Sequence, residues 1–346
     1  MAIAGGGPAG LAAAIRAAQK GLKTLVIERS VDPPDKACGE GLMPSGAREL
    51  DALGARISES AIFRGIRYLQ EDGSEAQAYF RDGAGIGIRR TALARALRDR
   101  AIESGAEIRH AAVQSARASK AIVELATDAG PIEARLAVAA DGLHSPLRKA
   151  AGLEKKARPV VPRFGIRRHF ALAPWSDLVE VHWAPGAEAY VTPVGPRSVN
   201  VAFLTGRALD YGELMKTFPK LADRIGDAGA ESEARGAGPL LQKVRARCAD
   251  RLALIGDAAG YVDAITGQGL SLAFHGARVL IELLPRDLST DLTPALAAYD
   301  RALRRPWLRY ALPAHALVAL SRRPMLRRVA IRSTRFAFSA LLDVVG

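Results

Sequence analysis

The chain is poor in cysteine, in aromatic residues and in acid, and it has no long apolar run. Its two cysteines among 346 residues, Cys38 and Cys248, stand far apart in no metal-ligand spacing. That pattern points away from an iron–sulfur centre or any other metal site and suits a reducing cytoplasm. No uninterrupted apolar stretch approaches the roughly 18 residues of a membrane span, so none is expected, and no signal peptide is expected either. Aromatics make up 5% of the chain, and the net charge of +13 comes mostly from arginines spread over many segments. Nucleic-acid binders cluster such charge on one face and interleave aromatics, so no nucleic-acid partner is expected. There is no internal repeat and no low-complexity linker. Against these absences stands a hydrophobic content of 49%, which excludes global disorder and supports two domains or one large domain with insertions.

The most informative stretch comes first. Residues 2–10 read AIAGGGPAG, an apolar run that turns on glycine into a helical pattern starting at Pro8. Gly5, Gly7 and Gly10 have the G-x-G-x-x-G spacing of a dinucleotide fingerprint. The first glycine makes the tight turn, the second admits a pyrophosphate, and the third lets helix pack on strand. Pro8 and Ala9 open the helix whose amides would face phosphate charge. Glu28 and Arg29 follow the next strand-like run, Thr24 to Ile27, where an acid would bind a ribose 2′-hydroxyl.

Beyond this βαβ unit the spacing predicts helices over Pro44 to Leu53 and Thr91 to Ser104, the latter with Leu93, Leu97, Ala101 and Ile102 on one face. It predicts strands near 63–69, 75–80, 107–110, 122–126 and 136–139. From Arg163 to Leu204 the period becomes 2, which reads as an antiparallel sheet inserted in the nucleotide domain. The run Arg251 to Ile255 is the last nucleotide-domain strand, and only helical patterns follow. The expected class is α/β with an α+β insertion. The nucleotide domain would comprise residues 1–62, 85–160 and 240–290, the substrate sheet 63–84 and 161–239, and a helical region 291–346.

Two further motifs, Asp141-Gly142-Leu143-His144-Ser145-Pro146-Leu147-Arg148 and Gly256-Asp257-Ala258-Ala259-Gly260, follow the fingerprint in order. With it they resemble the p-hydroxybenzoate hydroxylase-type FAD-dependent oxidoreductases. Lys36-Ala37-Cys38-Gly39-Glu40-Gly41 and Gly256 to Leu270 are most similar to the geranylgeranyl reductase branch and its relatives among natural-product monooxygenases. The resemblance implies bound FAD and a Rossmann-like domain; since no second fingerprint is present, NAD(P)H is expected to dock transiently or a partner to supply the electrons. It implies that Cys38, Gly39, Arg90, Asp141, Gly142, Gly256 and Asp257 contribute to the cofactor site, with Arg148 fixing the local turn. Gly267, Gln268, Gly269 and Leu270 would open a helix toward the flavin edge that turns anionic on reduction, a location that favours a positive helix end.

Departures from the pattern bear on the chemistry. Ala264 replaces the proline that hydroxylases often carry after the Gly-Asp motif. Tyr190-Val191-Thr192-Pro193 keeps the Tyr and Pro of the reductase strand and loses its Trp. The halogenase Trp-x-Trp-x-Ile-Pro motif is absent. Cys38, Tyr190 and Gly267 are the candidate catalytic positions, although Cys38 reads equally as a small loop hydrophobe and Tyr190 as a core residue with one hydrogen bond. His169 and His182 could face the substrate or be structural. On these grounds the leading expectation is a monooxygenase that hydroxylates or epoxidises a small apolar or aromatic substrate through a flavin C4a-hydroperoxide. The alternative is an FAD-dependent reductase of carbon–carbon double bonds in an isoprenoid or lipid-like substrate, and a third reading is an electron-transfer flavoprotein. The C-terminal segment carries Arg301, Arg304, Arg305, Arg309, Arg322, Arg323, Arg327, Arg328, Arg332 and Arg335. It reads first as a terminal helical layer with a solvated face, and otherwise as a contact for a membrane surface, an acidic carrier protein or an anionic substrate.

Overall fold

Residues 1–155 and 162–333 are described by the structure, a computed structural model; Arg335 and the rest of 334–346 lie outside the described residues. Short apolar runs with alanine at the contact positions build the first layer. Ala2–Ala4, Leu25–Glu28, Glu107–His110, Ala137–Ala139 and Leu252–Leu254 pair in parallel, and Cys248–Ala249 adds an antiparallel edge, giving one six-stranded sheet. The helix Pro8–Gln19 carries Leu11, Ala12, Ala13, Ala14, Ile15 and Ala17 buried. With so many alanines it packs closely against the helices Arg90–Glu103 and Gly269–Leu283 and their shared apolar core.

The helix over 91–104 begins at Arg90 and buries Leu93, Leu97 and Ala101, whereas Ile102 is exposed. Ile102 falls nine positions after Leu93, half a turn around the helix, so it cannot share that face.

The period-2 segment forms a seven-stranded sheet in which Phe164–Phe170, Leu178–Ala184, Ala187–Gly195 and Ser198–Thr205 pair antiparallel as expected, Phe164–Phe170 with Ser198–Thr205. One pair departs from this. Leu178–Ala184 runs parallel to Gly65–Gln70, which brings the hairpin of Gly65–Gln70 and Glu75–Tyr79 to the sheet edge. Alternation sorts the two faces of the sheet. Ala189, Val191, Val199, Val201 and Phe203 pack under Tyr211, Leu214, Phe218 and Leu221. The opposite face carries Glu188, Tyr190 and Thr192, with Val179, Val181 and Trp183 in the neighbouring strand. The helix Arg304–Ser321 covers part of this second face through Tyr310, Ala314 and Leu317. Among the described residues no helix is long and apolar enough to cross a membrane.

Candidate functional site

The strand Ala2–Ala4 ends in the glycine turn, and each glycine is held there by a different constraint. Gly5 has φ +107°, and an added Cβ would lie 2.4 Å from the carbonyl oxygen of Ala140. At Gly10 a Cβ would lie 2.0 Å from the carbonyl oxygen of Gly5, so the helix can approach the turn only without a side chain. A Cβ on Gly7 would meet only the Arg90 guanidinium, at 3.7 Å, so the protein itself does not require glycine there. Gly7 is the N-cap of Pro8–Gln19 and supplies no side-chain cap, which leaves helix amides available to an anion. Glu28 closes this end of the site. Its Oε2 accepts the Gly6 N–H at 2.7 Å and its Oε1 the Ser30 N–H at 3.0 Å. Arg29 is exposed beside it, and Leu270 turns back into the main core.

Charged side chains converge across from the turn. Burial and the nearby charge of Arg90 hold the Lys36 ammonium below its ordinary pKa, while Glu28 and Asp257 pull the other way. Burial pushes the Asp257 carboxyl up, against the pull of Arg90, Lys36 and Arg148. Asp257 lies in the turn Gly256–Ala259, whose N-cap is Ile255, so it is not the capping residue of that turn. Burial also raises Asp141, whose Oδ2 accepts the Leu147 N–H while its Oδ1 is buried with no partner. Arg148, fully buried, donates to the carbonyls of Leu143 at 2.8 Å and Ala258 at 3.3 Å. One guanidinium thus ties the Asp141 turn to the Asp257 turn.

The segment from Asp35 to Gly41 is fastened to the seven-stranded sheet. Glu40, a left-handed residue at φ +59°, accepts the Arg90 N–H on Oε1 at 2.7 Å and faces His169 Nε2 across 2.6 Å on Oε2. The other ring nitrogen of His169 faces Ser232 Oγ at 2.9 Å and Arg167 at 3.3 Å, and Arg167 also pairs with Asp35. Asn200 donates to the Cys38 carbonyl at 3.0 Å. The Cys38 sulfur accepts the Glu40 N–H at 3.3 Å, and burial raises its thiol pKa, so it stays protonated. A Cβ at Gly39 would meet nothing within 4 Å.

On the far side, Arg163 is bidentate to Glu188 and also pairs with Asp263, all three buried. This clamps the loop 263–268 to the sheet. In that loop Gly267 has φ +66°, and an added Cβ would lie 2.5 Å from the Met43 methyl; Met43 packs with Tyr68, Val181 and Trp183. The following helix starts at Gly269 with Gln268 as N-cap and no side-chain cap. The hydroxyls of Tyr190 and Thr266 are buried without a hydrogen-bond partner.

The structure therefore brings Gly5, Gly7, Pro8, Gly10, Glu28, Cys38, Gly39, Arg90, Asp141, Asp257, Gly267 and Gln268 around one elongated region. It gives Gly142 (φ +86°) and Gly256 (φ +58°) turn roles, and seats Gly256 against Ala9. Pro193 is turned away and lines a separate surface groove with Ile62 and Trp175; Thr192 and Tyr190 take the inward places. Sequence reasoning assigned no role to Lys36, Glu40 or the Arg163–Glu188–Asp263 clamp. The first two stand in the quoted glycine-containing motif, Glu40 buried and Lys36 at the surface. Orphaned polar atoms on Asp141 and Thr266, two cations, and two uncapped helix N-termini fit a long, polar, diphosphate-bearing cofactor.

The comparisons agree with this geometry. Residues 1–203 match the family described as FAD binding domain. The chain is 28% identical over 324 residues to a digeranylgeranylglycerophospholipid reductase of Methanopyrus kandleri, covering 85% of this chain and 82% of that protein. It is 30% identical over 326 residues to a menaquinone reductase of Mycobacterium tuberculosis, covering 86% and 79%. A geranylgeranyl bacteriochlorophyll reductase-like protein from Thermoplasma acidophilum superposes with TM-score 0.82 at 19% identity, over 99% of this chain and 92% of that one, a likeness of fold. The chain belongs to the FAD binding domain family of p-hydroxybenzoate hydroxylase type, and it is an FAD-dependent oxidoreductase.

Proposed function

We propose that the protein reduces a carbon–carbon double bond in an apolar, isoprenoid-like substrate. The observation that carries this reading is the inner face of the seven-stranded sheet. There the buried, unpartnered Tyr190 hydroxyl is the polar tip beside a wall of Tyr68, Val179, Val181 and Trp183. Such a wall suits a hydrocarbon chain, with the polar positions gathered on the adjoining strand at Glu188, Tyr190 and Thr192. Oxygenation, favoured from the sequence alone, rested on the missing Trp of the reductase strand and on a glycine-rich run at the flavin edge. The names of the relatives at 28–30% identity, all reductases, support reduction.

In this reading Lys36, Arg90 and the amides at Gly7–Gly10 hold the pyrophosphate. Glu28 holds a ribose, and Asp257 and Asp141 the ribityl and neighbouring groups. When bound and reduced, FAD supplies hydride. NAD(P)H, docking transiently, is the proposed source of those electrons. Hydride adds to one carbon of the alkene and a proton to the other, so both hydrogens of the new C–C single bond are accounted for. Burial, with Glu188 adding to it, raises the Tyr190 phenol well above its ordinary pKa, which keeps it protonated but makes it a weaker acid. The nearby Arg163 charge pulls the other way and favours loss of the proton. Having no acceptor in the protein, it is positioned to give its proton to the second carbon, and it is reprotonated from solvent when product leaves. The Arg163–Glu188–Asp263 clamp holds this strand against the loop bearing Gly267.

The test is anaerobic turnover of a polyprenyl substrate with deuterated reductant in ordinary water, and the reverse. One deuterium from each source, with Tyr190→Phe slowing reduction by about 10²-fold while retaining FAD, is the expected result. Oxygen incorporation into product from labelled dioxygen, or an unchanged rate in Tyr190→Phe, would overturn it.

A further inference from the structure

The C-terminal helices present an outer face that the cofactor site does not use. Residues 301–333 contain nine arginines and no lysine, aspartate or glutamate. Three of the arginines reach back to acids elsewhere: Arg304 to Asp300, Arg327 to Glu71 and Arg328 to Asp72. For Arg305, Arg309 and Arg323 no ion pair is found among the described residues. On the helix Arg304–Ser321, Arg305, Leu308, Arg309 and Leu312 are all exposed at helical spacing, opposite the buried Tyr310, Ala314 and Leu317. The helix Pro324–Ser333 continues the pattern with exposed Met325, Leu326 and Val329. Leu312 is 66% exposed and Met325 72%. Of eleven large apolar side chains exposed on the described chain, five fall between residues 308 and 329.

We propose that this face docks on the surface of an anionic lipid bilayer. Apolar side chains set among arginines match the two parts of such a surface, acyl chains below and negative headgroups above. An acidic protein would complement the arginines and leave the leucines and methionine in water. The inner sides of the same helices close the apolar wall. Leu317 packs in the cluster that includes Tyr190, and Arg327, buried, lies over the Trp183 ring and donates to the Ala184 carbonyl. A bilayer on the outer face therefore lies about one helix diameter, roughly 10 Å, from the apolar cluster beside Tyr190, which gives an apolar substrate a short path from lipid to site. That consequence rests on the reductase reading; the docking itself does not.

The experiment is co-sedimentation of the FAD-loaded full chain with vesicles of phosphatidylcholine alone and mixed with phosphatidylglycerol, at low and high salt. Binding to the mixed vesicles, weakened by salt, is expected. Leu312→Glu with Met325→Glu should lower partitioning by roughly tenfold or more, and Arg305→Gln or Arg309→Gln by about fivefold each. Flavin absorbance should be unchanged in all of them, which reports an intact fold. Reduction of a short, water-soluble alkene should also be unchanged, whereas reduction of a polyprenyl lipid embedded in the vesicles should fall with binding. No preference for anionic vesicles, equal partitioning of wild type and variants, or binding to an acidic carrier protein with none to vesicles would overturn the proposal. Docking that holds while every alkene fails as substrate would sink the reductase reading and leave the docking face standing.

Discussion

Arg148 makes the sharpest test of how the cofactor region is built. Its guanidinium is fully buried and donates to the carbonyls of Leu143 and Ala258 and to Gln242 Oε1 at 3.0 Å. Glu154, at 3.5 Å and only partly buried, is a weak counter-charge. Arg148→Met keeps the aliphatic stem and removes the donors. Two main-chain carbonyls then lose a charged partner, each worth about 1.5–3 kcal/mol, and no longer having to bury a guanidinium returns part of that. The net cost is about 3 kcal/mol. With an unfolding entropy of about 2.1 cal/mol/K per residue, a chain of this length should lose roughly 4 °C in Tm. The same change frees the Asp141 turn from the Asp257 turn, so FAD affinity, read by flavin fluorescence quenching, should fall by about tenfold or more. Arg148→Lys should recover little, because a single ammonium cannot reach both carbonyls in fixed directions. A Met variant with both Tm and FAD affinity unchanged would refute the idea that this side chain joins the two turns.

Other expectations follow from the same site. Asp257→Asn should stabilise the FAD-free protein near neutral pH while weakening FAD retention; burial raises this carboxyl, so its contribution favours folding at low pH and is lost as pH rises through the raised pKa. Thermal shifts with and without FAD check both signs. Lys36 is held below its ordinary pKa without cofactor, and a diphosphate beside it would raise that value. FAD binding should therefore take up protons at alkaline pH and weaken as pH rises through the lowered value, a dependence lost in Lys36→Met and measurable by calorimetry in two buffers. Gly10→Ala places a Cβ 2.0 Å from a main-chain oxygen and should cost about 1–3 kcal/mol or abolish soluble expression, whereas Gly39→Ala should fold normally. Cys38 should resist iodoacetamide at neutral pH, because burial keeps the thiol protonated; rapid alkylation would show otherwise.

What could be read from the sequence was local. Gly5, Gly7, Gly10 and Glu28 depend on spacings of a few residues to one βαβ unit, and the structure assembles them as one turn with Glu28 bonded to the Gly6 amide. The helix Pro44–Leu53 and the strand Phe164–Phe170 were legible from period and punctuation. What escaped depends on partners distant in sequence. Glu40 and His169 are 129 positions apart, and nothing in either local sequence says that they pair. The parallel union of Gly65–Gln70 with Leu178–Ala184 is equally silent, since period 2 fixes which residues share a face and leaves the neighbouring strand unspecified.

The buried charges missed in that way explain how the cofactor region and the seven-stranded sheet stay in register. Glu40 binds the Arg90 amide at the head of one helix and His169 in the sheet, while the Arg163–Glu188–Asp263 clamp binds the sheet to the loop before Gly269. Arg163 is held far on the protonated side by its two carboxylates, although burial opposes them. Breaking one member of such a buried set leaves an unpaired charge, at a cost of about 3–5 kcal/mol, whereas a slightly displaced set would shift the strand that bears Tyr190 against the loop that bears Gly267. Apolar packing alone would let the sheet slide over the neighbouring loop, because dispersion contacts have little directional preference. Directional pairs, Glu40 with His169 and Arg163 with Glu188 and Asp263, fix where Tyr190 stands relative to Gly267. That gives a physical reason for charged residues to be buried beside the apolar cluster of Tyr68, Val181 and Trp183.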